Sequence, residues 1–374
     1  MRPIMQDLYI GLMSGTSIDG VDGVLADFSS GRPQVLAHAG GDFAPALRAE
    51  LLALNTPGDN ELHRAALAGN GLMRVYAQVA GQLLAATRTE ARSVAAIGAH
   101  GQTVRHRPRE FDGTGYTLQL CQPALLAELT GIAVVADFRS RDVAAGGQGA
   151  PLAPFFHRGW FGDDAQTVGV LNLGGIANLT VLRPQGDMLG FDCGPANGLM
   201  DGWCARHRGQ PFDADGAWAA SGRMQPGLLA ALLAEPYFGE VPPKSTGRDL
   251  FNMDWLDRRL AAGFAGLAAA DVQATLAELT ACSCADDVRR HAPGLHKLYV
   301  CGGGALNGHL MRHLQALLPQ ARVLSSAEAG LPPQQVEATA FAWLARQCLR
   351  GEKLPLTSTT GALGARVLGA VYPA

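Results

Sequence analysis

Residues Leu8–Phe28 read LYIGLMSGTSIDGVDGVLADF. Two apolar runs, Tyr9–Met13 and Val21–Ala26, flank a polar centre, Ser14–Gly20, which is the pattern of a strand, a tight turn and a returning strand. Gly15, Thr16, Ser17, Ile18, Asp19 and Gly20 make the turn. Glycine lets a backbone bend sharply and come close to a bulky ligand. Successive N–H groups in such a turn form a concavity suited to phosphate oxygens. The hydroxyls of Ser14, Thr16 and Ser17 add donors, and Asp19 or Asp22 offers a carboxylate to a divalent cation. Taken alone, the plainer reading is an ordinary hairpin with a glycine-rich turn. The rest of the chain decides between the two.

At 374 residues, 48% hydrophobic and 17% charged, the chain is long enough for two domains and rich enough for large cores. A net charge of −3 argues against a general nucleic-acid or membrane-surface binder. The opening MRPIMQDLYIGL lacks the apolar segment of a signal peptide, and no run reaches the roughly 18 apolar residues of a membrane span, so a cytoplasmic protein is expected. Seven scattered cysteines without a C-x-x-C pair predict reduced, structural thiols.

Along the chain, Gln34–Gly41 predicts a third strand of the first sheet, and Leu62–Ala86 an amphipathic helix with Leu72, Tyr76, Val79 and Leu83 on one face. The strand from Val94 ends in His100, Gln102, Thr103 and Arg105, where α/β folds tend to hold ligands; a solvated loop fits equally. Arg105, His106, Arg107 and Arg109 read as a solvated basic loop. After the strand Ile132–Asp137, the stretch FRSRDVAAGGQGAPLAP shifts to Gly, Pro and Arg and marks a boundary between lobes. Arg139 and Arg141 there suit an anionic substrate, or a structural salt bridge.

The second half opens as the first did. Val168–Arg183 reads VGVLNLGGIANLTVLR: apolar run, Gly174–Gly175 turn, apolar run, with Asn172 and Asn178 beside the turn. Two such units imply a duplicated architecture that cradles phosphate between glycine hairpins. In GFDCGPANGLMDGWC, Asp192 falls at a strand end, fit for a general base or for an Asx turn. Asn197 predicts a helix cap, with Asp201 in the first turn as a dipole partner. Pro242–Asn252 is a polar loop whose Lys244 and Arg248 contact substrate or brace the lobe. Leu298–Cys301 is a buried strand ending in Gly302, Gly303 and Gly304, a run that lets a ligand pass close to backbone. Glu337 opens a late helix, where it suits the helix dipole or a sugar hydroxyl.

The motifs GLMSGTSIDGVD, GAHGQT, ADFRSRDVAAGGQGAPL, LNLGGIAN, GFDCGPAN, PKSTGR, VCGGGALN and the Glu337 helix, in this order, resemble those of the 1,6-anhydro-N-acetylmuramic acid kinases over essentially the whole chain. The resemblance implies an α/β, two-lobed actin-like ATPase fold, each lobe a mixed ribonuclease-H-like sheet flanked by helices, with the active site in the cleft. The lobes would be 1–138 plus 353–374, and 139–352. It further implies ATP and Mg²⁺, with Ser14, Gly15, Thr16, Ser17, Ile18, Asp19, Gly20, Val21 and Asp22 as the first phosphate loop and Asp19 on the metal. Leu173–Ala177, with Gly174 and Gly175, would be the second loop, and Gly302, Gly303 and Gly304 would face the nucleotide. Asp192 would be the catalytic base. His100, Gln102, Thr103, Asn172, Asn197 and Glu337 would bind the sugar, and Arg139 or Arg141 its lactyl carboxylate. The implied reaction opens the 1,6-bridge with water and phosphorylates the 6-oxygen, giving N-acetylmuramic acid 6-phosphate in cell-wall recycling, in a homodimer. Rival readings are another hexose kinase of the superfamily, a glycoside hydrolase built on Asp192 and Glu337, and a nucleotide-dependent regulatory protein. No G-x-x-x-x-G-K-[ST] string supports a P-loop kinase.

Overall fold

The computed structural model describes residues 7–15, 18, 20–30, 33–247 and 250–374. Two compact units emerge, residues 1–160 with 334–374, and residues 161–333.

The first unit is built on six strands: β1 (Leu8–Met13), β2 (Gly20–Asp27), β3 (Gln34–Asp42), β4 (Val94–Ala99), β7 (Val134–Ala136) and β13 (Ala370–Tyr372). Their order is β13-β7-β4-β1-β2-β3. β1, β2 and β3 run as an antiparallel meander, while β4 lies parallel to β1 and β7 parallel to β4. β1 is buried along its whole length, as its unbroken apolar sequence requires of a central strand. A separate two-stranded sheet pairs β5 (Gln102–Pro108) with β6 (Gly115–Leu120). Arg105 and Arg107 therefore stand in a paired strand and not in the solvated loop expected. The Arg105 guanidinium reaches Glu61 at 3.3 Å with little side-chain exposure.

The second unit has five strands: β8 (Thr167–Leu173), β9 (Ile176–Leu182), β10 (Met188–Pro195), β11 (Leu295–Cys301) and β12 (Arg322–Ser325). The order is β10-β9-β8-β11-β12. Again three strands form an antiparallel meander and two more add in parallel. The duplication read from the two glycine hairpins is thus a duplication of topology, and each half carries the mixed sheet and flanking helices expected of it.

The expected boundary at residue 138 moves to 160, and the return to the first unit moves from 353 to 334. Composition misled because the glycine-rich segment after Arg139 is no linker. Asp142, fully buried, accepts the N–H of Gly149 at 2.6 Å and the Thr360 hydroxyl at 2.5 Å. Gln148 N–H donates to the Thr360 carbonyl at 2.8 Å, and Leu363 N–H to that of Ala145 at 2.8 Å. A segment 218 residues later in sequence thereby ties the glycine-rich loop into the first unit.

The helix Val336–Leu349 lies against β1 and β4, and glycine sets how closely. A methyl group at Gly11 would collide with the Ala338 carbonyl oxygen, and one at Gly98 with that of Phe341. Backbone meets backbone at both points, so no side chain can swing aside. Gly11→Ala and Gly98→Ala should each destabilise the protein by about 1–3 kcal/mol through overpacking. Thermal melts should show a lower Tm for both variants, with Gly81→Ala, where a methyl meets open space inside the helix Glu61–Thr87, as a control whose Tm is not lowered.

Candidate functional site

Each unit gathers its own set of the residues singled out by sequence. In the first, β1 leads into Ser14 and Gly15. The Ser14 hydroxyl is buried, 3.1 Å from the Gly101 carbonyl oxygen and 2.9 Å from Gln102 Oε1. The Gln102 amide donates to the Gly15 carbonyl at 3.1 Å. One fully buried glutamine therefore holds both sides of the entry to the first glycine turn, and the Ser14 hydroxyl expected to face phosphate faces Gln102. Sequence gave no sign of two further supports. The Tyr76 hydroxyl lies 3.3 Å from the Gly101 carbonyl oxygen, and Arg48 Nε donates to the Ile18 carbonyl at 2.8 Å. Ile18 is the turn's described left-handed residue, at φ 55°, where a glycine was the natural expectation. Val21 is buried at the start of β2, and Asp22 pairs with His38 at 3.3 Å. Thr16, Ser17 and Asp19, with the metal role assigned to Asp19, lie outside the described residues.

At the end of β4, His100 and Arg139 form a fixed pair. His100 Nδ1 is 2.8 Å from the Gly101 carbonyl oxygen, which can only accept, so Nδ1 carries the proton and Nε2 is the acceptor. Arg139 donates to that Nε2 through Nε at 3.2 Å and through a terminal nitrogen at 2.9 Å, and its other terminal nitrogen reaches the Gly149 carbonyl at 2.7 Å. Burial, with the Arg139 charge, pulls the His100 pKa down to about 3, so the imidazole stays a neutral acceptor. Arg141 is exposed on the short helix Ser140–Ala144, away from this pair. Thr103 accepts from Gln119 at 3.1 Å. Glu337, half-buried in the first turn of its helix, belongs to this first unit.

In the second unit the β8–β9 turn, the start of the helix Asn197–Arg208 and the triple glycine come together. The carbonyls of Gly174 and Gly175 accept the N–H groups of Asn197, at 2.9 Å, and of Ala196 and Gly198, both at 3.1 Å. A planar trans peptide then turns the Gly175 N–H to the opposite side, away from that helix. Asn197 is the first helical residue and not the cap; its side-chain amide donates to the Leu173 carbonyl at 2.8 Å. Asp201 consequently falls in the second turn and not the first. A Cβ on Gly302, whose φ is 77°, would stand 2.5 Å from Asn172 Oδ1, and one on Gly304 would stand 2.5 Å from Leu173 Cβ. The glycine run is thus pressed onto the hairpin, and Gly303 would put a Cβ 3.5 Å from the Asn197 amide.

Asp192 sits where β10 is bulged. Asp192 pairs with Asn178 and Gly194 with Ala177, leaving Cys193 as the extra residue. Asn178 in turn pairs with Asn172 on β8, so Asn172, Asn178 and Asp192 share one face across three strands. A bulge re-aims side chains next to it. Asp192 is 7% exposed, and its carboxylate accepts the Thr246 N–H at 3.0 Å, a long-range bond. Arg248, in the same polar loop, lies outside the described residues.

A family model described as anhydro-N-acetylmuramic acid kinase matches residues 7–374. The chain belongs to the anhydro-N-acetylmuramic acid kinase family. Relatives of that name include one from Variovorax paradoxus (strain S110), 66% identical, with 98% of this chain and 99% of the relative covered. Another, from Albidiferax ferrireducens, is 62% identical over 99% of this chain and 100% of the relative. Among solved structures, a reductive activator for corrinoid, iron-sulfur protein matches with a TM-score of 0.50 at 11% identity, covering 95% of this chain and 63% of that one. At that identity the likeness is one of fold. The α/β fold expected from the sequence is present, with a mixed sheet and flanking helices in each unit. Among the described residues no helix is long and apolar enough to cross a membrane. Nor do three or more metal-ligating side chains gather there. Magnesium in phosphoryl transfer binds through one or two carboxylates and the phosphates themselves, and the half-exposed Asp22 carboxylate on β2, beside His38, is a hard oxygen donor of that kind.

Buried neutral histidines give the first unit a pH dependence. The pKa values of His100 and His157 are lowered to about 3 and that of His106 to about 4, each chiefly by burial. Because these lie below the unfolded value, the unfolded chain binds protons first. The stability involved is present above pH 6.5 and is lost as pH falls through 6.5 towards about 4 for His106 and about 3 for His100 and His157. Denaturant titrations should show that loss, at up to about 1.4 kcal/mol per pH unit for each histidine. The slope should be shallower in His157→Leu.

Proposed function

We propose that the two glycine hairpins bind the phosphates of ATP and that Asp192 is the base of a bridge-opening phosphorylation. Family membership makes the chain an ATP-dependent kinase of anhydro-N-acetylmuramic acid, in cell-wall sugar recycling. Water attacks the anomeric carbon and gives its proton to the Asp192 carboxylate. The bond from that carbon to the 6-oxygen breaks, its electron pair goes to the 6-oxygen, and that oxygen takes the γ-phosphoryl group while ADP leaves. The products are N-acetylmuramic acid 6-phosphate and ADP.

The observation that carries this reading is the buried Asp192 carboxylate at the β10 bulge, in register with Asn178 and Asn172 beside the second glycine hairpin. A Thr246 N–H donated to one oxygen orients the carboxylate. Ser14–Asp22 takes phosphate in the first unit, and Gly174, Gly175 and Gly302–Gly304 take the nucleotide in the second. Backbone amides such as that of Gly175 provide donors without reorganisation. Asp19 or Asp22 would hold magnesium, which when bound would neutralise charge on the phosphates. The sugar falls to Thr103, Asn172, Asn197 and Glu337, while His100 and Gln102, expected to bind it too, are taken up in holding Arg139 and the first glycine turn. Of the two arginines, Arg139 is the one to meet the lactyl carboxylate, because His100 and Gly149 already orient its guanidinium. We further place the enzyme in the cytoplasm as a homodimer.

Asp192→Asn should bind ATP with wild-type affinity in calorimetry yet lose at least about a thousandfold in kcat. Near-normal turnover would remove Asp192 from the base role. With isotopically labelled water, the wild-type product should carry the label at the anomeric hydroxyl. Arg139→Lys should raise KM for the anhydro sugar at least about tenfold while leaving KM for ATP unchanged, because an ammonium cannot replace the bidentate fork. Steady-state kinetics with each substrate varied in turn reads both.

A further inference from the structure

The segment that holds Asp192 is itself held by a buried ammonium. Lys244 is 3% exposed, and its Nζ lies 3.5 Å from Asp287 Oδ2. The same nitrogen stands 4.8 Å from the centre of the Tyr237 ring and 5.7 Å from that of Phe191. Asp287 comes from the helix Ala269–His291, which packs on β10. Its other oxygen is 3.9 Å from His291 Nε2. Burial pushes the Asp287 carboxyl up, and Lys244 opposes that rise. Lysine is almost never this deeply buried unless paired, and a buried pair is weak evidence for stability alone.

What surrounds the ammonium bears on Asp192 from several directions. Phe191 precedes it in the chain. The Tyr237 hydroxyl donates to the Asp192 carbonyl at 2.8 Å. The Lys244 carbonyl accepts the Asp192 N–H at 3.2 Å. Two residues further on, Thr246 N–H donates to Asp192 Oδ2. Main chain and carboxylate are therefore both clamped by the segment 244–246, and the Lys244 side chain anchors that segment to the helix below.

We propose that Lys244 is a positioning residue for the reaction, its ammonium fixing the segment that orients the Asp192 carboxylate. The inference rests on Asp192 being the base. A backbone N–H donated to a carboxylate favours its charged form. Freeing the segment weakens that bond, and the proton affinity of Asp192 rises. Among the described residues, the other ionisable groups of the neighbourhood are Cys193 on β10, Tyr237 and Glu240, Cys284, Asp287, Arg290 and His291 on the helix, and Arg183, which acts on His291.

The test is Lys244→Met, which keeps the apolar stem and removes the charge, with kcat, both KM values and the pH profile of kcat measured. The expected result is KM for ATP unchanged, kcat at pH 7 lowered at least about tenfold, and the acid limb of kcat moved up by about one pH unit. A folded Lys244→Met with the wild-type acid limb overturns the proposal and leaves the lysine a purely structural part. Should Lys244→Met fail to fold, Asp287→Asn removes the ammonium's partner with little change of shape and must move the limb the same way. An unmoved limb there also overturns it. The two levels stay separable. Full activity in Asp192→Asn sinks the base itself, whereas an inactive Asp192→Asn with an unmoved limb in Lys244→Met sinks only the positioning role.

Discussion

A carbonyl oxygen stands where a methyl group would sit on any residue but glycine, and on that approach the first unit depends. Gly11 on β1 and Gly98 on β4 let the helix Val336–Leu349 lie with its backbone against the sheet. That helix reaches the unit after an excursion of residues 161–333. Without side chains to interdigitate at those two points, the contact is fixed in distance and almost inelastic. The strands it fixes are the ones whose ends carry Ser14 and His100. Their mutual geometry, through Gln102 on Ser14 and Gly15 and through His100 on Arg139, follows from it.

The second unit reaches a comparable rigidity by another route. Its hairpin carbonyls are capped by a helix start, its glycine run is pressed onto the hairpin, and its bulge carries Cys193 past the register. Each device spends backbone polar groups internally and leaves a small number of amides and one carboxylate with a defined orientation. Electrostatic preorganisation of this kind is what phosphoryl transfer asks of a protein.

Much of this was legible in the sequence because it is local. Apolar runs around Ser14–Gly20 and around Gly174–Gly175 announce two hairpins, and their recurrence announces two like sheets. The run Gly302–Gly304 was placed after the strand ending at Cys301 by the same patterning, whereas Asp192, expected at a strand end, lies inside β10, which runs on past its bulge to Pro195. The misjudged features share a cause, which is that their partners are distant in sequence. The glycine-rich stretch after Arg139 looked like a linker because nothing nearby reveals Thr360 beneath Asp142. Asn197 looked like a cap because its true acceptor, Leu173, lies 24 residues earlier. Arg48, Tyr76 and Tyr237 carry no motif, and nothing in PKSTGR says that Thr246 reaches Asp192; each acts through long-range hydrogen bonds.

The interrupted first unit also has a consequence for biosynthesis. Chains are made from the N-terminus, and domains that are continuous in sequence can fold as they emerge. Here the segment 161–333 is whole before the ribosome has made the helix that closes what precedes it. The opening 160 residues must wait, with the apolar strand β1 and its neighbours lacking their cover, while the later half acquires its core. Nascent chains stalled in that interval present an uncovered sheet, which is the stage at which a holding chaperone has something to bind.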